Sequence, residues 1–168
     1  MVATSALLAQ MLTALALIAS DAPATTSAPT IRAAIGFPLE DVVGPVRAGK
    51  LCLPNGKLTG SDFVTSPRDL QLLIEEVLAA KQSDERVKPV SEVRLTALQV
   101  KLCARSWGAF GIGRRPNLAG ESRFSFELVG PDGTTTPVPV IITLDGKSAM
   151  TPDRIAHEAI RRLLIVSE

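Results

Sequence analysis

"VSEVRLTALQVKLCAR", residues Val90–Arg105, is the stretch on which the fold turns. Val93, Leu95 and Ala97 alternate on odd positions, then Leu98, Val100 and Leu102 on even ones. Such period-two alternation predicts a long strand with one buried face. The change of phase at Ala97-Leu98 predicts a β-bulge, an extra residue that re-aims the second half of the strand. Beyond the bulge, Gln99, Lys101 and Cys103 should face away from the core.

Downstream, "RFSFELV" alternates with Phe124, Phe126 and Leu128 inward, and Pro131-Asp132-Gly133 marks a turn. "TPVPVIITL" returns as a strand with Val138, Val140, Ile142 and Leu144 on one face. Pro137 and Pro139 share a parity, so both missing N–H groups lie along one edge, and the strand should border the sheet. "TPDRIAHEAIRRLL" opens a helix with Thr151 as cap, Pro152 in the first position and Asp153 at the positive end of the dipole. Its stripe is Ile155, Ala159, Ile160, Leu163 and Val166.

Upstream, "SPRDLQLLIEEVLAAKQ" places Ser66 as cap, Pro67 first, and Leu70, Leu73, Ile74, Val77 and Leu78 at helical spacing. The polar "SDERVKP" ends that helix. From Ile31 to Leu58, turn residues interrupt short apolar stretches. The best strand there is Val46 to Leu53, with Leu51 and Leu53 inward and Lys50 and Cys52 outward. The order is β-α-β-β-β-α. It predicts an α+β two-layer sandwich of about four mostly antiparallel strands with two helices on one face.

In that order of elements, over residues 46–165, the chain resembles small periplasmic accessory proteins of the bacterial outer membrane. That resemblance implies two helices on a four-stranded sheet and an accessory role. No cysteine follows the N-terminal apolar run to carry a lipid, which departs from the lipoproteins of this kind.

The 168 residues suffice for one domain with a core. The apolar run Ala6 to Ser20, followed by Ala22-Pro23-Ala24, reads as a signal peptide over 1–24, with a linker at 25–30 and one domain at 31–168. The run is short for a membrane span, so the mature chain is expected not to cross a membrane. With 18 basic and 17 acidic residues, no basic stripe dominates, which disfavours a nucleic-acid partner. Aromatics are 4% with no tyrosine, so stacking platforms for bases or sugars are disfavoured too.

Cys52 and Cys103 are the only cysteines. They lie too far apart for a C-x-x-C redox pair, and with one histidine they cannot complete a zinc site. Export favours a disulfide between them. His157 reads as a surface histidine four residues from Arg161. No G-x-S-x-G elbow is present to supply a nucleophilic serine, and no carboxylate pair stands out.

Between Ser106 and Glu121 the chain is glycine-rich and carries Trp107, Phe110, Ile112, Arg114 and Arg115. An aromatic beside arginines has the composition of an interface hot spot, although Trp107 and Phe110 would equally serve to seal the end of the sandwich. Its G-x-x-G-x-G spacing is not that of a nucleotide-binding loop. The expectation is therefore an exported cell-envelope accessory or protein-binding module without catalytic activity. Its partner would be another envelope protein, and it would need neither cofactor nor metal. An exported hydrolase with acid residues distant in sequence stays open, as does a structural subunit pairing through a sheet edge.

Overall fold

The alternation at Val90–Arg105 builds the centre of the molecule. The structure, a computed structural model, describes residues 30–83, 85–105, 117–147 and 149–167. In chain order the elements are β1 (Arg32–Ile35), β2 (Val42–Ala48), β3 (Leu53–Thr59), α1 (Pro67–Ala79), β4 (Glu85–Val87), β5 (Glu92–Arg105), β6 (Asn117–Val129), β7 (Thr135–Asp145), α2 (Pro152–Leu164) and β8 (Ile165–Ser167). The expected signal peptide falls outside the described residues, as does the linker apart from Thr30.

β5, β6 and β7 form an antiparallel meander whose inward residues match in register: Val93 opposite Leu128, Leu95 opposite Phe126, Leu98 opposite Phe124. The bulge is present, one step earlier than expected, between Leu95 and Ala97. Thr96 is the extra residue, and its hydroxyl donates to the Ser125 carbonyl at 3.0 Å. That bond occupies an acceptor where the ladder is disrupted, so the slip settles on the threonine. Ala97 consequently pairs with Ser125 instead of continuing the inward row.

Phe124 and Phe126, two apart on one strand, stack with ring centres 5.9 Å apart, and Phe63 meets Phe124 edge-on at 6.1 Å. β7 ends the sheet, as its two prolines require. At the β6–β7 turn, the Thr134 hydroxyl and N–H both donate to the Asp132 carboxylate, holding its pKa below the ordinary 3.8.

Both helices cover the same face of this sheet. Ser66 accepts from the Asp69 N–H at 3.1 Å, and α1 buries Leu70, Ile74 and Val77. α2 buries Ile155, Ala156, Ala159, Ile160, Leu163 and Leu164, and the two helices touch each other over the shared core. Thr151 starts α2 but does not cap it with its side chain. Its hydroxyl instead bonds the Asp153 carboxyl, lowering that pKa.

The fold is thus α+β with two helices, but the sheet is larger than the expected four strands. Six strands form one sheet in the order β3-β2-β5-β6-β7, with β1 also on β5, and β4 pairs with β8 in a separate two-stranded ribbon. β1 and β2 both run parallel to β5 on the edge opposite β6, β1 along Glu92–Leu95 and β2 along Leu102–Ala104. Between them the register on that edge skips Thr96–Lys101. The chain re-enters the sheet at Gly44, where a Cβ would lie 2.0 Å from the Val100 carbonyl oxygen. Only glycine fits so close an approach.

The expected strand Val46–Leu53 is in fact the end of β2, a turn and the first residue of β3. Gly49 and Cys52 adopt left-handed φ values of 78° and 48°, and the Cys52 N–H donates to the Gly49 carbonyl. Leu51 at the turn is 81% exposed and Leu53 is 61% exposed, so neither points inward. Two left-handed residues three apart reverse the chain before the alternation can act.

A second correction concerns "SDERVKP" and the end of α2. Glu85–Val87 is a strand, and the helix stops at Leu164 so that Ile165–Ser167 can pair with it. Val166 leaves the expected stripe and is 46% exposed. Buried Glu85 makes this possible, because its carboxylate accepts from Arg161 and from the Gln82 N–H. Glu85→Ala should cost about 1–3 kcal/mol in urea denaturation, between the values for exposed and fully buried pairs because Arg161 is half exposed.

Ser122 lies on the buried face opposite Val100 and Ile142, with a hydroxyl that has no hydrogen-bond partner among the described residues. Ser122→Ala should therefore raise stability by about 1 kcal/mol in the same measurement, since it removes a desolvated polar group and leaves almost no cavity.

Candidate functional site

Among the described residues, no helix covers the other face of the sheet, and the outward parity of β5 decides what stands there. Gln99, Lys101 and Cys103 lie opposite Arg123, Glu121 and Ala119 of β6, respectively. On the other side Arg47 of β2 lies opposite Cys103. Together with Val42, Val43, Pro45 and Cys52 these residues line a trough of about 880 Å³ across β2, β5 and β6. Leu98, Val100, Leu102 and Gly120 also border it, although Leu98, Val100 and Leu102 belong to the inward, core-lining parity.

The Cys52–Cys103 disulfide is present, with Cα atoms 5.5 Å apart, and both cysteines line the trough. It joins the β2–β3 turn to the central strand, where the sequence had suggested a link between two strands. Cys103 is buried because that turn sits over it.

The trough holds three cations, Arg47, Lys101 and Arg123, and one carboxylate, Glu121. Arg123 Nη2 lies 3.4 Å from Glu121 Oε1. Arg47 and Lys101 have no ion-pair partner among the described residues. Farther along the same face the charges balance, since Arg94 sits between Glu92 at 2.8 Å and Glu127 at 3.3 Å and Arg32 of β1 stands opposite Glu92. The face is therefore positive at the trough and close to neutral at the far end of β5 and β6.

Of the candidate site residues named from the sequence, only the cysteines enter this site. Trp107, Phe110, Ile112, Arg114 and Arg115 lie outside the described residues. His157 is half-buried beside Glu76, Asp153, Arg154 and Glu158 in a shallow depression of about 390 Å³ on the helix side. Arg161, expected near it, turns instead to Glu85. Among the described residues no cluster of three or more His, Cys, Asp or Glu side chains could hold a metal ion. No described helix is long and apolar enough to cross a membrane.

Sequence reasoning placed Gln99 and Lys101 on the outer face but did not join them to Arg123, Glu121 or Arg47. The first two were within reach, because "GESR" and "QVKLC" alternate in phase once β5 and β6 are paired. Arg47 was not, since nothing local announces that β2 runs parallel to β5. Comparison with protein-family models, with curated proteins and with solved structures finds no match for this chain, so the trough's own chemistry carries the functional reading.

Proposed function

We propose that the chain is an exported accessory module of the cell envelope that binds another envelope protein through the open face of its sheet, without catalysis. The observation that carries this reading is the trough: a partly apolar surface edged by three cations, two of them unpaired among the described residues. Unpaired cations beside exposed apolar surface are a means of recognition. A hydrolase would need a second acid–base group converging with Glu121, and that carboxylate already faces Arg123. The disulfide and the apolar N-terminal run support an oxidising compartment outside the cytoplasm.

Assembly through a sheet edge is disfavoured at β7 by Pro137 and Pro139 and interrupted at β3 by Pro54. A photo-crosslinking residue at Gln99, in cells that express the protein natively, tests the reading. We expect one discrete cross-linked protein from Gln99 and none from the same group at Glu75 on the exposed side of α1. Cross-linking from neither position, or equally from both, would remove the trough as the contact surface.

A further inference from the structure

Resting on that reading, we propose that the trough takes an extended segment of its partner in which Asp or Glu side chains alternate with aliphatic ones. The three cations are not scattered. Arg123 stands opposite Gln99, Lys101 is two residues further along β5, and Arg47 stands opposite Cys103, two residues further again. They step diagonally across three neighbouring strands, β6 to β5 to β2. Two residues of rise is about 7 Å and one strand spacing is about 5 Å, so each step is about 9 Å between backbones.

Alternate side chains of an extended peptide project from one side about 7 Å apart. Long Arg and Lys side chains close the small difference, so three alternating carboxylates can meet three cations in order. The guanidinium groups of Arg47 and Arg123 present planar donor pairs suited to carboxylates. Glu121 partly neutralises one of them and sets the register, because a carboxylate bound there must displace or share its hold on Arg123.

The intervening surface is aliphatic. Val42 and Pro45 are exposed, and Ala119 and the disulfide complete it. No aromatic ring lines the trough among the described residues, so it lacks the stacking surface that sugars and bases use. From Gln99 to Cys103 the strand advances about 13 Å, room for about five extended residues and so for three alternating carboxylates. Farther along the sheet Glu92 and Glu127 already hold Arg94, with Arg32 opposite Glu92, so among the described residues the net positive charge of this face lies at the trough.

Isothermal titration calorimetry of the purified exported protein with an eight-residue peptide of alternating Glu and Leu tests this. Binding is expected at 50 mM salt, weakening as salt rises. Replacing every peptide Glu by Gln should weaken it at least tenfold, and so should Lys101→Glu in the protein. A peptide of alternating Lys and Leu should bind Lys101→Glu better than it binds the wild type. Lys101 is exposed, so circular dichroism of the variant should match the wild type and exclude unfolding as the cause.

Equal binding of the Glu and Gln peptides, or none of either, overturns the proposal. So does Lys101-dependent binding to phosphatidylglycerol vesicles without binding to the peptide, which would assign the cations to a membrane surface. The Gln99 cross-link separates the two levels. A cross-linked partner whose captured segment lacks acidic residues sinks the ligand chemistry and leaves the module reading standing. Absence of any cross-link sinks the module reading, whatever the peptides do.

Discussion

Replacing Cys52 and Cys103 together by alanine is expected to lower the free energy of unfolding by about 4 kcal/mol. The bond spans a sequence separation of 51 residues. Releasing a loop of that length restores chain entropy to the unfolded state worth about 4 kcal/mol in the chain-entropy model. For a domain whose whole stability is of order 5–15 kcal/mol, that is a large share. The loss should appear first in the β2–β3 hairpin. β3 has β2 as its strand neighbour, and β2 meets β5 in register only over Val46–Ala48. Hydrogen exchange should therefore rise at residues 46–58 before it rises in β6.

One control separates the cross-link from the turn. Cys52 holds φ at 48°, a conformation that costs a non-glycine residue about 1–2 kcal/mol. Cys52→Gly with Cys103→Ala should be more stable than the double alanine variant by about 1 kcal/mol, yet well below the wild type. If urea midpoints of wild type and double alanine coincide, the disulfide contributes nothing to stability.

Gly120→Ala is expected to cost about 3–5 kcal/mol, by a different route. Gly120 lies within β6 at φ 128°, a region open to glycine and strained for other residues. A Cβ there would lie 2.0 Å from the Lys101 carbonyl oxygen and 3.2 Å from the Leu102 Cα, both backbone atoms of the neighbouring strand. No side-chain rotation relieves that contact; β5 and β6 would have to separate where they border the trough. Gly133→Ala is the natural comparison, since φ is 82° in the β6–β7 turn and its Cβ would meet open space. It should lose only about 1 kcal/mol. With a urea m-value of about 2 kcal/mol/M, Gly120→Ala should move the midpoint down by about 2 M and Gly133→Ala by about 0.5 M. Similar shifts for the two variants would show that φ alone, not the close approach, sets the cost.

Much of the helix-bearing half is legible in the sequence. Ser66-Pro67 and Thr151-Pro152 locate both helix starts, because a capping position and a fixed φ act within one turn of chain. β5, β6 and β7 were readable because each buries one face, and a buried face imposes alternation on every residue of a strand. Pro137 and Pro139 marked an edge for the same local reason, a missing donor. The Ile31–Leu58 region resisted. β1 is four residues long, and β3, "LPNGKLT", is largely exposed, so burial wrote little pattern on either.

The triplet Lys-Leu-Cys occurs twice, and its second copy, Lys101-Leu102-Cys103, obeys strand alternation, with Leu102 buried. The first, Lys50-Leu51-Cys52, occupies a turn that two left-handed residues impose. Identical triplets took different structures because three residues cannot outweigh the chain geometry around them.

The sequence alone therefore determined the properties that each segment settles with itself or with its next neighbour: the two helices, the long bulged strand, the antiparallel meander and the edge at β7. Tertiary structure alone decided the parallel seating of β1 and β2 on β5, the hairpin under the disulfide, the β4–β8 ribbon around Glu85 and the diagonal of Arg47, Lys101 and Arg123. Each of these joins segments far apart in the chain, and what selects them is packing and charge compensation after collapse.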